Sequence, residues 1–113
     1  LRFAEEAAWV ERWLGLIERS LAVDPAAARE IVATAALVRG YAETYKRGQA
    51  NWDRITTQVV EPMLDGRLPA AHFADAVLQA RLAAVKDPEG TALAETIAAV
   101  GRTAAGPGRL AAE

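Results

Sequence analysis

Apolar side chains recur along this chain in alternating steps of four and three, the spacing that lays one face of an α-helix. The longest run is Ile31, Ala35, Val38, Ala42, Tyr45, Gln49, Trp52, Thr56, Val59 and Met63, of which eight of ten are apolar or aromatic. It predicts a helical stretch from Asp24 to Leu64. Asp24 before Pro25 suits its start, because the carboxylate accepts orphan N–H groups and proline in the first turn wastes no donor. A straight helix of that span would reach about 60 Å at 1.5 Å per residue. A domain of this size is smaller, so either Gly48 breaks the helix or the helix leans on protein outside this chain.

The same period appears three more times. Phe3, Ala7, Val10, Leu14, Ile17 and Leu21 form a stripe in the first helix, widened by Trp9, Trp13 and Leu16. So wide a face exceeds what one neighbouring helix needs, and the two rings suit a core or a domain contact, or else line a ligand site. Asp65-Gly66-Arg67-Leu68-Pro69 reads as a loop, with Gly66 as a left-handed cap and Pro69 opening the next helix. A proline at Pro62 is expected to bend the last turn before it. The third helix, 69–86, buries Phe73, Val77, Ala80 and Ala84, with Leu78, Leu82 and Val85 beside them. Asp87-Pro88-Glu89 repeats the opening chemistry of Asp24-Pro25 and starts a fourth helix presenting Leu93, Ile97, Val100 and Ala104. Gly106-Pro107-Gly108 is expected to stop it.

The fold class is therefore all-α: a bundle of about four helices with one long central helix, open to a kink. Residues 1–105 read as a single helical domain and 106–113 as a flexible tail. Alanine-rich composition agrees with close helix packing. The 113 residues suffice for one modest core. A formal charge of −2 supplies no general attraction to nucleic acid. No run approaches the roughly 20 apolar residues of a membrane span. The first residue is Leu1, which suggests a piece of a larger subunit.

Candidate chemistry is sparse. Absence of cysteine excludes disulfides and thiolate or iron–sulfur ligation within the chain. His72 is the sole histidine and has no HExxH or ExxH spacing. Ser20 lacks a GxSxG context. No catalytic residue, cofactor loop or metal site is assigned. One stretch stands apart: Arg39, Lys46, Arg47 and Arg54 interleave with Gly40, Tyr41, Thr44, Tyr45, Gly48 and Trp52. Glu43 has the spacing to pair with Arg39 and Arg47. Two glycines within a helical pattern cost roughly 1 kcal/mol each against alanine, so each needs a reason. Close approach by another segment would supply one; a surface for an interaction or an anionic ligand at Arg39, Gly40, Tyr41, Thr44, Lys46, Arg47, Gly48 and Trp52 is the other reading.

At these residues the sequence resembles a known family. RFAEEAAWVERWLGLIER (2–19), LVRGYAETYKRGQANWDRI (37–55), VVEPMLDG (59–66) and LQARLAAVKDPEG (78–90) look like the C-terminal helical region of the indolepyruvate oxidoreductase subunit beta family. Arg39-Gly40-Tyr41, Thr44, Arg47-Gly48, Asn51-Trp52 and Ile55 follow that family's central segment in order and spacing. Ala42 replaces its second glycine, and Tyr45 stands where histidine is common.

The resemblance implies membership in a thiamine-diphosphate, ferredoxin-linked 2-oxoacid oxidoreductase. Such complexes convert an arylpyruvate and coenzyme A into aryl-acetyl-CoA, carbon dioxide and reduced ferredoxin. An alpha-type partner subunit would hold the thiamine diphosphate and iron–sulfur clusters, and a gamma-type domain of the same subunit would lie upstream of Leu1. The chain itself would be a cytoplasmic accessory or scaffold domain without a cofactor, packing through its first helix and the Gly40/Gly48 surface. A free-standing interaction module, dimeric in isolation, is a second reading. A nucleic-acid-binding bundle is a third, and the acidity counts against it.

Overall fold

Asp24 does what its position promises. In the computed structural model, which describes the backbone of residues 2–111 and the side chains of residues 3–103, its carboxylate accepts the Ala26 N–H at 3.0 Å. Pro25 opens α2 (Pro25–Thr34) immediately behind α1 (Arg2–Leu21). The two pack side by side. α2 then tightens into a 3-10 turn, Ala35–Leu37.

The stretch expected as one helix from Asp24 to Leu64 is cut there. Gly40 lies in the left-handed region at φ +83°, Tyr41 is extended, and Ala42 follows at φ +49°. The break is at Gly40, not at Gly48, which sits inside the next helix. α3 (Ala42–Ile55) starts beyond it, and a π turn, Thr56–Val60, joins α3 to α4 (Glu61–Leu64) without interruption. A long, kinked central helix thus exists, over residues 42–64. Pro62 explains the π turn. In an α-helix its ring would strike the carbonyl four residues earlier, and it has no N–H to donate. The wider turn relieves that conflict, with the Glu61 N–H bonding the Thr56 carbonyl five residues back.

Asp65 and Gly66 (φ +85°) end α4 as expected, the Asp65 carboxylate receiving the Arg67 N–H and Nε. A 3-10 turn, Ala70–His72, precedes α5 (Phe73–Lys86). Asp87 is a cap, but for a helix beginning one turn later than its sequence suggests. Its carboxylate holds the N–H of Glu89 and Ala92, residues 88–90 form a turn closed by Gly90 at φ +97°, and α6 runs Thr91–Ala111. α6 continues past Gly106-Pro107-Gly108, so the expected stop does not end it. Residues 112–113 lie outside the described residues, and the side chain of Ala104 outside the described side chains.

The described residues contain helices and turns and no strand: the fold is an all-α bundle. α5 lies at its centre, flanked by α2 and α6 and crossed by the α3–α4 rod. Phe73, Val77, Ala80 and Ala84 are buried as expected, with Leu16, Ile31, Ile55, Val59, Val60, Met63 and Leu93, whereas Leu82 and Val85, expected beside them, are exposed. Arg81 and Glu30 tie α5 to α2 at 3.1 Å. No described helix is long and apolar enough to cross a membrane.

α1 turns a different face inward from the stripe expected of it. Leu16 and Ser20 are buried and Trp9, Trp13 and Ile17 half-buried, whereas Phe3 is 83% exposed, Leu14 53% and Leu21 55%. The tryptophans won the interior because they carry the larger apolar area. The Phe3–Leu14–Leu21 stripe, roughly a quarter-turn round the helix, is left uncovered.

Candidate functional site

The familiar segment of residues 39–55 wraps two things: a tryptophan node inside the bundle and a cleft on its surface. Trp52 is fully buried, and its indole N–H donates to the Thr34 hydroxyl at 3.1 Å. That hydroxyl in turn donates to the Ile31 carbonyl at 2.6 Å, which also receives the Trp13 N–H at 2.9 Å. Trp9 meets Trp52 edge-on, ring centroids 5.4 Å apart, and lies 6.2 Å from Trp13. The Arg12 guanidinium stands 5.2 Å from the Trp52 centroid and pairs with Asp53 at 3.5 Å and Glu61 at 3.2 Å. Burial pushes the Asp53 carboxyl above its ordinary range, with the Arg12 charge opposing. Every tryptophan of the chain belongs to this node, so the rings are core and not a ligand wall.

Gly48 is part of the same construction. A Cβ built on it would land on the Leu37 carbonyl oxygen, so its bare Cα lets α3 close against the end of the 3-10 turn. At Gly40 a Cβ would come within 2.8 Å of the Thr44 methyl, and the left-handed backbone disfavours one in any case. Close approach inside the chain is therefore the reason for Gly48, and a turn the reason for Gly40. At Gly48 the chain's own backbone takes the space a side chain would need, while Gly40 itself is exposed.

Where α3 leaves the 3-10 turn, a cleft of about 270 Å³ opens against the C-terminal end of α5. Arg39, Thr44, Arg47 and Gly48 line it, four of the eight residues singled out in the sequence. The other four are elsewhere: Gly40 makes the turn, Tyr41 is 81% exposed, Trp52 is in the core, and Lys46 pairs with Glu43 at 3.9 Å. Among the described residues Glu43 pairs with neither Arg39 nor Arg47: the break at Gly40 takes Arg39 off the helix on which that spacing was counted, and Glu43 reaches Lys46. Arg47 instead reaches Glu89 at 3.4 Å.

Ala36, Leu37, Asn51, Ala84, Val85 and Pro88 complete the cleft, from the 3-10 turn, α3, the end of α5 and the turn beyond it. Asn51 is the informative one among them. Asparagine is a poor helix former, yet this one is buried in the middle of α3, where its amide donates to the Pro88 carbonyl at 2.9 Å. Arg54 reaches the Gly90 carbonyl at 3.3 Å beside it. The oddity was visible in the sequence; its partner was not.

A second, larger groove, about 480 Å³, runs between the start of α5 and α6, with His72 and Asp75 among mostly apolar neighbours such as Met63, Ala76 and Val100. His72 is exposed, and no group of three or more acidic, histidine or cysteine side chains gathers as a metal site among the described residues.

A sequence model for a family of unknown function (DUF6537) matches residues 1–58, just over half of the 113-residue chain. The matched part comprises α1, α2, α3 and the connections between them, and so contains the tryptophan node and the arginine side of the cleft. No curated protein and no solved structure matches the chain significantly.

Proposed function

The chain belongs to the family of unknown function DUF6537, and we propose that it is a non-catalytic helical scaffold domain of an arylpyruvate ferredoxin oxidoreductase. The thiamine diphosphate and iron–sulfur clusters of that assembly reside in the alpha-type partner, and this domain packs against the rest of its own subunit and that partner. The observation that carries the scaffold reading is the outer face of α1. Phe3, Leu14 and Leu21 lie uncovered on one line, and Val23 and Val32, each about half exposed, extend the apolar surface on the adjoining turn and helix. Large apolar side chains left exposed along one helix face suit a contact with other protein.

The choice of assembly rests on the sequence resemblance. The use the chain makes of the resembling residues supports a structural role: Gly40, Gly48, Asn51, Trp52 and Ile55 are consumed by a turn, a backbone contact, a hydrogen bond from α3 to the turn before α6, and the core. Residues spent this way hold an architecture.

The test uses the assembled oxidoreductase with Phe3→Glu and Leu14→Glu in this domain. Both positions are exposed, so the helix content and melting of the domain are expected to stay within experimental error. Co-elution of the subunits and indolepyruvate-dependent ferredoxin reduction are expected to fall together. Unchanged assembly and rate would refute the reading, as would turnover of indolepyruvate by this chain in isolation. A stable dimer of the isolated chain that the same substitutions dissolve would favour a free-standing dimerisation module instead.

A further inference from the structure

The cleft beside α3 has a chemistry that a scaffold role does not use. Its lining includes two arginines, Arg39 and Arg47, with Thr44 beside them, and no acidic residue. Arg39 is exposed and has no ion pair among the described residues. Arg47 has one, to Glu89, but at 3.4 Å and with the Glu89 side chain 73% exposed. A solvated pair of that kind is screened and readily exchanged for a better anion. Of the nearby carboxylates, Glu43 pairs with Lys46, and Asp87 accepts the Glu89 and Ala92 N–H groups. Two positive charges thus converge on one concavity in a chain whose formal net charge is −2.

Leu37 and Val85 give the same cleft an apolar wall. Its volume of about 270 Å³ is below that of most drug-sized ligand sites, which suits a small molecule with one anionic head and a short apolar body. Arginine forks match tetrahedral phosphate oxygens two at a time, and a threonine hydroxyl can add a further donor. We infer that this cleft binds a small phosphate monoester, its phosphate held by Arg39 and Arg47 and its body against Leu37 and Val85. The site is independent of the outer face of α1, so it stands or falls separately from the scaffold reading.

The experiment is an amide and arginine-Nε NMR titration of the full chain with phenyl phosphate, with inorganic phosphate, and with sodium chloride at matched ionic strength. Saturable shifts are expected at Gly40, Thr44, Gly48 and the Nε of Arg39 and Arg47. Phenyl phosphate should bind at least several-fold tighter than inorganic phosphate. Arg39→Gln, which breaks no contact in the free protein, should weaken binding about tenfold or more. Lys46→Gln, outside the cleft, should change it less than twofold. Shifts that fail to saturate, that sodium chloride reproduces, or that Lys46→Gln abolishes as well as Arg39→Gln would overturn the assignment. Equal affinity for the two phosphates would remove the apolar wall from it.

Discussion

Replacing Gly48 by alanine tests how the bundle is closed. In an exposed helix interior the change would add about 1 kcal/mol of stability, because glycine loses more backbone freedom on folding than alanine. Here the new methyl would occupy the position of the Leu37 carbonyl oxygen. That oxygen belongs to the backbone of a 3-10 turn and cannot swing aside as a side chain would. α3 and the turn must separate, loosening the contact between Val38, Tyr45 and Trp52. Overpacking of this kind costs about 1–3 kcal/mol, more than the propensity gain returns.

Gly15 supplies the matched control. It lies mid-helix in α1, is exposed, and has nothing within 4 Å of where its Cβ would stand. Gly15→Ala is expected to raise stability by about 0.5–1 kcal/mol. Urea unfolding followed by tryptophan fluorescence would read both, and on heating each kcal/mol corresponds to about 4–8 °C for a domain near this size. The two substitutions should shift the midpoint in opposite directions. A Gly48→Ala protein as stable as the parent or more so would refute the account of the break and of the close approach.

Trp52→Phe removes the N–H that Thr34 accepts and leaves a void among Trp9, Arg12 and Val38; a loss of about 1–3 kcal/mol is expected by chemical denaturation. Asn51→Ala unties α3 from the turn before α6, leaving the Pro88 carbonyl without its donor, and should cost about 1–3 kcal/mol with faster amide exchange at Gly90 and Ala92. Carboxyl NMR titrations should find Asp53 above, and Asp65 below, the ordinary value of 3.8, since burial raises the first and the Arg67 hydrogen bond lowers the second. By linkage, the contribution of Asp53 is full below 3.8 and is lost as pH rises through its raised pKa, while that of Asp65 is present above 3.8 and lost as pH falls through its lowered one. The reversed order of midpoints would contradict both environments.

Much of this molecule was legible in one dimension. Period and capping are local properties, so the helical class, the Asp24-Pro25 start, the Asp65-Gly66 stop and the buried face of α5 could be read from neighbours in sequence. Asp87 shows where local reading ends. The cap chemistry is real, but Gly90 beneath Arg54 and Asn51 delays the helix by a turn.

Three further decisions belonged to the tertiary structure. Gly40 and Gly48 look alike in sequence, and what separates them is the Leu37 carbonyl, brought against Gly48 only after the chain has folded back. α1 carries apolar residues round nearly half its circumference, and the choice of inward face fell to the three tryptophans meeting one another, leaving Phe3, Leu14 and Leu21 outside. The cleft draws Arg39 and Arg47 together with Val85 and Pro88 from the end of α5 and the turn beyond it. A helical period states which residues share a face; which of two apolar faces is buried, and what a bare Cα is kept bare for, depends on partners distant in sequence.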